Sequence, residues 1–172
     1  MNKQITSPAT KGLVLGLILI AISILTYVLI PNMEDQRKYS WVSYLLIAGG
    51  IAWASYSYAS QMNGNVTFGG AFSHGFKTTA VLTVIMIVYT ALAITFIFPE
   101  IKDKAMEFAR QNMEKQGKMD DEKIDQAVKM TTKFFLPFAI AGILVMYLFI
   151  GAIGALIGSA AAKKNPNPVM PE

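Results

Sequence analysis

The segment "TFGGAFSHGFKTT", Thr67 to Thr79, holds the single histidine of the chain, His74. An imidazole can serve as a general base, a proton carrier or a metal ligand. A metal site needs a second His, Cys or carboxylate at ligand spacing. A nucleophile needs an adjacent base with a third group to orient it. His74 has none of these nearby in the sequence, so it is expected to be a wet, surface-facing residue. The chain has no cysteine, which excludes disulfides, thiolate metal sites and a thiol nucleophile. Hydroxyls remain at Ser23, Thr26, Ser43, Ser55, Thr83, Thr90 and Thr95, again without a base. Their expected use is hydrogen bonding between helices. The expectation is a non-enzyme with no catalytic residue, metal site or cofactor.

The elements carrying these residues are set by hydropathy. Of 172 residues, 53% are hydrophobic and only 15% charged, against about 25% charged in a soluble domain. Sixteen of the 26 Asp, Glu, Lys and Arg residues fall between Glu100 and Lys133, which leaves long uncharged runs. About 20 apolar residues cross the ~30 Å hydrocarbon core. Four runs are read as spans of one membrane domain covering 1–172: about 12–30, 41–58, 79–98 and 134–162. The first is longer than a signal peptide's apolar region and no small-x-small cleavage site follows it. Ser7 and Pro8 give it a helix start. Trp41, Tyr44, Trp53, Tyr56 and Tyr58 place aromatic rings towards both ends of the second run, as in interfacial belts. None of the four runs contains an ionisable Asp, Glu, Lys, Arg or His, which argues against ion pumps, proton-coupled carriers and voltage sensors. The expected fold is all-α, a four-transmembrane-helix bundle. The tail 165–172, with three prolines in "NPNPVMPE", is expected to be disordered.

Small residues recur along the fourth run at Gly151, Gly154 and Gly158, spacing that lets helix backbones approach closely. The stripe suits packing within the bundle, with a dimer interface as its other use. Before the third run, Phe68, Phe72 and Phe76 share one helical face, and Ala71 and Gly75 lie beside them. This predicts an interfacial helix over 67–77, with its rings at the headgroups and its small residues against another helix.

Residues 99–133 read as a charged helical hairpin. Pro99 starts one arm, Gly117 caps it, and Asp120, Asp121 and Glu122 open the next. Eight acidic and eight basic residues cancel, so this is not a polybasic lipid-binding segment. Ile101, Phe108, Ile124 and Val128 form its apolar face, either for a partner or for the two arms to hold each other. Basic residues form no cluster, so nucleic acid is not an expected partner. Counting Lys and Arg gives ten in the first and third connections and five elsewhere, which by the positive-inside rule puts both ends outside. The hairpin is self-neutralised, while Lys11, Lys77, Lys163 and Lys164 are read as unpaired. On that basis both termini are expected in the cytoplasm.

"TKGLVLGLILI", "TFGGAFSHGFKTT", "EKQGKMDDEKIDQA" and "GAIGALIGSAAAKKNP" together carry a resemblance. Over about residues 8 to 163 the chain resembles bacterial membrane proteins grouped as domain of unknown function 4199. The resemblance implies four helices in a bacterial inner membrane and brings no activity, site residue or cofactor. Two functions are expected from the residues. The first is a non-enzymatic scaffold or accessory subunit using the 99–133 hairpin for contacts. The second is a small homo-oligomeric channel or carrier subunit for a neutral or apolar solute. The expected partners are the lipid bilayer and a second copy or another membrane protein.

Overall fold

The computed structural model describes residues 5–163 and residue 165; of the tail, residues 166–172 lie outside the described residues. Six helices follow one another: α1 (Pro8–Leu29), α2 (Met33–Gln61), α3 (Phe68–Leu92), α4 (Ile101–Gln116), α5 (Asp121–Lys133) and α6 (Phe135–Ala161). A π-helical turn, Ala93–Ile97, continues α3. Among the described residues there are no strands.

Side-chain caps start four of the helices. Ser7 accepts from the Thr10 amide, Asn32 from Glu34, Thr67 from Gly70 and Asp120 from Lys123. Each satisfies an amide that the helix cannot bond internally. The α2–α3 connection turns on Asn63 (φ 50°) and Gly64 (φ 77°), residue types that tolerate the left-handed region. Asn165 donates its backbone amide to the Gly64 carbonyl at 3.0 Å, which ties the start of the C-terminal tail to this turn.

Helices α1, α2, α3 and α6 run up and down beside one another, with α6 held against α2 and α3, and α1 against α3. Ile47, Ile51, Leu82, Leu19, Met86 and Ala155 form a buried apolar layer between them. Large apolar side chains such as Leu25, Val88, Phe149 and Ile157 face outwards, as expected where the solvent is lipid.

Three helices are long and apolar enough to cross a membrane: α1, α3 with its π turn, and α6. The four-span expectation therefore narrows to three on this measure. Helix α2 falls short because tyrosines, serines and tryptophans dilute its apolar stretch and charged residues occupy its first turns. The expected separate interfacial helix over 67–77 is also corrected. Those residues are the first turns of the continuous α3, because "AFSHGFKTTAV" contains nothing that breaks a helix.

Helices α4 and α5 form the antiparallel hairpin, capped between the arms by Gly117 at φ 60°. At 1.5 Å per residue the arms measure about 24 Å and 20 Å.

Candidate functional site

The two ends of the bundle are built differently. At the end that carries the start of α1 and the end of α6, the terminal end, backbones touch. Gly154 and Gly158 lie on the carbonyls of Ala48 and Ala52 in α2, and Gly151 lies beneath Thr79 of α3. Gly75 sits against Ser55 and Ala155, and Ala71 is fully buried. These contacts lie within one chain.

His74 is here, and it is not wet. It is 6% exposed and stacks on Tyr58, with ring centroids 4.1 Å apart. Its Nε2 is buried without a hydrogen-bond partner. Lys11 corrects a second expectation. It is buried rather than unpaired at a helix end, and its Nζ donates to the Ala54 carbonyl at 3.0 Å and to Ser57 Oγ at 2.7 Å. The ammonium also lies over the Trp53 ring, 5.7 Å from its centroid, a cation–π contact that compensates part of its lost hydration. Sequence reading missed both sites because the partners come from α2, dozens of residues from Lys11. Among the described residues no group of three or more His, Cys, Asp or Glu could hold a metal.

On the outer surface of α3, Phe68, Phe72 and Phe76 stack in sequence, with centroids 6.5 Å and 5.8 Å apart. Phe68 and Phe76 are exposed, while Phe72 leans on the core.

At the opposite end the helices part. A cleft of about 290 Å³ opens between α1, α2, α3 and α6, and the first residue of α4 overhangs it. Ser23, Thr26 and Tyr27 of α1 line it, with Gln36, Ser40 and Ser43 of α2, Tyr89 and Thr90 of α3, and Tyr147 of α6. Leu19 and Met86, both from the core layer, close its floor. From Met86 to Ile94 the cleft follows α3 for about 12 Å.

The hairpin joins the bundle at the rim of this cleft. Tyr27 donates a hydrogen bond to Glu100 and accepts one from Lys104 at 3.1 Å. Its ring lies on Phe98, with centroids 4.3 Å apart. The Tyr27 hydrogen bond holds the Glu100 carboxyl below its ordinary range. Arg37 at the start of α2 lies over Phe108 of α4, 5.9 Å from the ring centroid.

Within the hairpin, Arg110 pairs with Glu114 at 2.9 Å and with Asp125 at 2.8 Å across the arms. These contacts raise the Arg110 pKa above its ordinary value. Of the four residues of the expected partner face, Ile124 is the one that is buried. Ile124 is 1% exposed between the arms, Ile101 lines the cleft, Phe108 meets Arg37, and Val128 is half-buried. Ile124 is taken up by the packing of the two arms, since short amphipathic helices hold each other through their apolar faces.

An all-helical chain whose three most apolar helices can each cross a bilayer belongs to the class of multi-pass membrane proteins. Residues 10–164 match the family described as "Protein of unknown function (DUF4199)". The chain belongs to that family. No curated protein and no solved structure matches it.

Proposed function

We propose that the protein is a non-enzymatic scaffold or accessory subunit of a bacterial inner membrane. In this reading it crosses the membrane four times with both termini in the cytoplasm, and it uses the outer surface of the α4–α5 hairpin for contacts. The observation that carries the reading is the hairpin itself. It contains most of the charge of the chain and holds itself together through Ile124 and the Arg110–Asp125 pair. Its outer faces are left available, with Met119 and Met130 exposed among the charges. Met is a side chain that adapts to a partner's surface. A fourth span is supported by α2, whose 29 residues reach about 44 Å. Its buried face lies along α3 and α6.

A channel through one chain is disfavoured by the apolar layer of Leu19, Ile47, Ile51, Leu82 and Met86 between the two ends. A second copy of the chain remains among the candidate partners. Cross-linking and mass spectrometry on native membranes would compare the wild type with a chain lacking residues 100–133. Specific partners lost with the hairpin are the expected result, and an empty or unchanged partner set overturns the reading. Orientation is tested at Gly117→Cys, where an impermeant thiol reagent should label spheroplasts. Protection of that cysteine would reverse the assignment.

A further inference from the structure

The buried and half-buried threonines of these helices have two fates. Thr78, Thr79, Thr83, Thr131 and Thr132 each donate to the carbonyl four residues back in their own helix. That is the usual way for a hydroxyl to be satisfied where water is scarce. Thr26 and Thr90 do not do this. Their hydroxyls, with those of Ser43 and Tyr147, line the 290 Å³ cleft and make no hydrogen bond within the protein. Helix α3 also changes from α to π geometry against the same cleft, at Ala93 and Ile94, a distortion that recurs at functional sites. No residue lining the cleft carries a charge at neutral pH. At the rim, Glu100 and Lys104 are both engaged by Tyr27.

We propose that the cleft is a binding site for an uncharged, hydroxyl-bearing ligand of the glycerol or sugar type. Thr26, Ser43, Thr90 and Tyr147 would hydrogen-bond its hydroxyls, and Leu19 and Met86 would meet its carbon skeleton. An ion is disfavoured, because it would lose hydration with no opposite charge to replace it. The size is suitable: 290 Å³ lies at the lower end of the roughly 300–1,000 Å³ of small-molecule sites. Such a group could arrive as a free polyol or as the head of a membrane lipid. The chemistry is shared, and the experiment separates the two.

The full chain in phosphatidylcholine nanodiscs is titrated with three radiolabelled probes: glucose, monoolein and glucose 6-phosphate. Saturable binding of glucose identifies a free polyol, and saturable binding of monoolein alone identifies a lipid head. Glucose 6-phosphate should not bind. The triple variant Thr26→Val, Ser43→Ala, Thr90→Val should weaken binding at least tenfold. Because those hydroxyls have no protein partner, it should still fold. Tyr147→Phe, which removes one oxygen, is the second variant and should weaken binding at least threefold. Absence of saturable binding for both uncharged probes overturns the proposal. So does equal binding of glucose 6-phosphate, or unchanged affinity in both variants.

Discussion

The two ends of the bundle share the same four helices and solve opposite problems. At the terminal end glycine and alanine bring backbones into contact, and Lys11, Ser55, His74, Thr78, Thr79 and Ser159 are buried among them. At the hairpin end tyrosine, serine, threonine and glutamine hold the helices apart. In lipid, apolar burial drives little helix association, so contact between backbones supplies much of the cohesion. The end with small residues can therefore carry the fold. The end with large hydroxylated residues can carry a cavity and an attached domain. Helix α6 contains both conditions. Gly158 lies on a backbone carbonyl, whereas Gly142, nearer the hairpin, has nothing within 4 Å of an added Cβ.

That difference sets the largest predicted effect. Gly158→Val overlaps the Ala52 carbonyl and should cost about 3 kcal/mol or more, since backbone cannot yield as a side chain can. Gly142→Val should leave thermal unfolding in detergent nearly unchanged. Equal losses from the two would abolish the distinction between the ends. Next comes His74. His74→Ala removes the ring stacked on Tyr58 and should cost about 2 kcal/mol. His74→Phe keeps a ring and removes a buried nitrogen that has no partner, so the melting temperature should hold or rise. A large loss in His74→Phe would show that the nitrogen matters. In the hairpin, Gly117→Ala puts a side chain at φ 60° and should cost about 1 kcal/mol. The loss should appear as faster amide exchange in α4 and α5, with the bundle unaffected.

The smallest effect concerns the anchor at the cleft rim. Tyr27→Phe removes the hydrogen bond to Glu100 and should speed amide exchange in the first turns of α4 several-fold. The wild type should show the same loosening in acid. The Glu100 carboxyl is held below its ordinary value of 4.5, so the contribution is complete above that pH. It disappears as the pH falls through the lowered folded-state value. Tyr27→Phe should show a weaker pH dependence, because the backbone hydrogen bond and Lys104 still lower the Glu100 carboxyl.

Local signals in the sequence were legible because they depend on neighbours along the chain. Ser7 caps α1 and Gly117 turns the hairpin through contacts three or fewer residues away, and Asp120, expected in the first turn of α5, stands one place earlier as its cap. His74 and Lys11 were misread because their environment is non-local. Tyr58, Ala54 and Ser57 reach them only once α2 has packed beside α1 and α3. The hydroxyl cleft was illegible for a similar reason. Ser43, Thr90 and Tyr147 belong to three helices, and each taken alone looks like an ordinary interhelical hydrogen bonder. The hairpin's apolar face posed a choice between self-packing and docking, and Ile124 at 1% exposure is the residue that self-packing took.

The π turn has a geometric consequence of its own. The Phe98 amide bonds back five residues to the Ala93 carbonyl at 2.7 Å, so Ala93–Ile97 holds one residue more than the α pattern would. Each residue advances an α-helix by about 100°. The turn therefore acts as a phase shifter, setting the compass bearing at which the chain leaves the bundle. With it, Phe98 and Glu100 arrive facing Tyr27. Deleting one residue there would keep the composition nearly intact and swing the hairpin to a different side of the molecule.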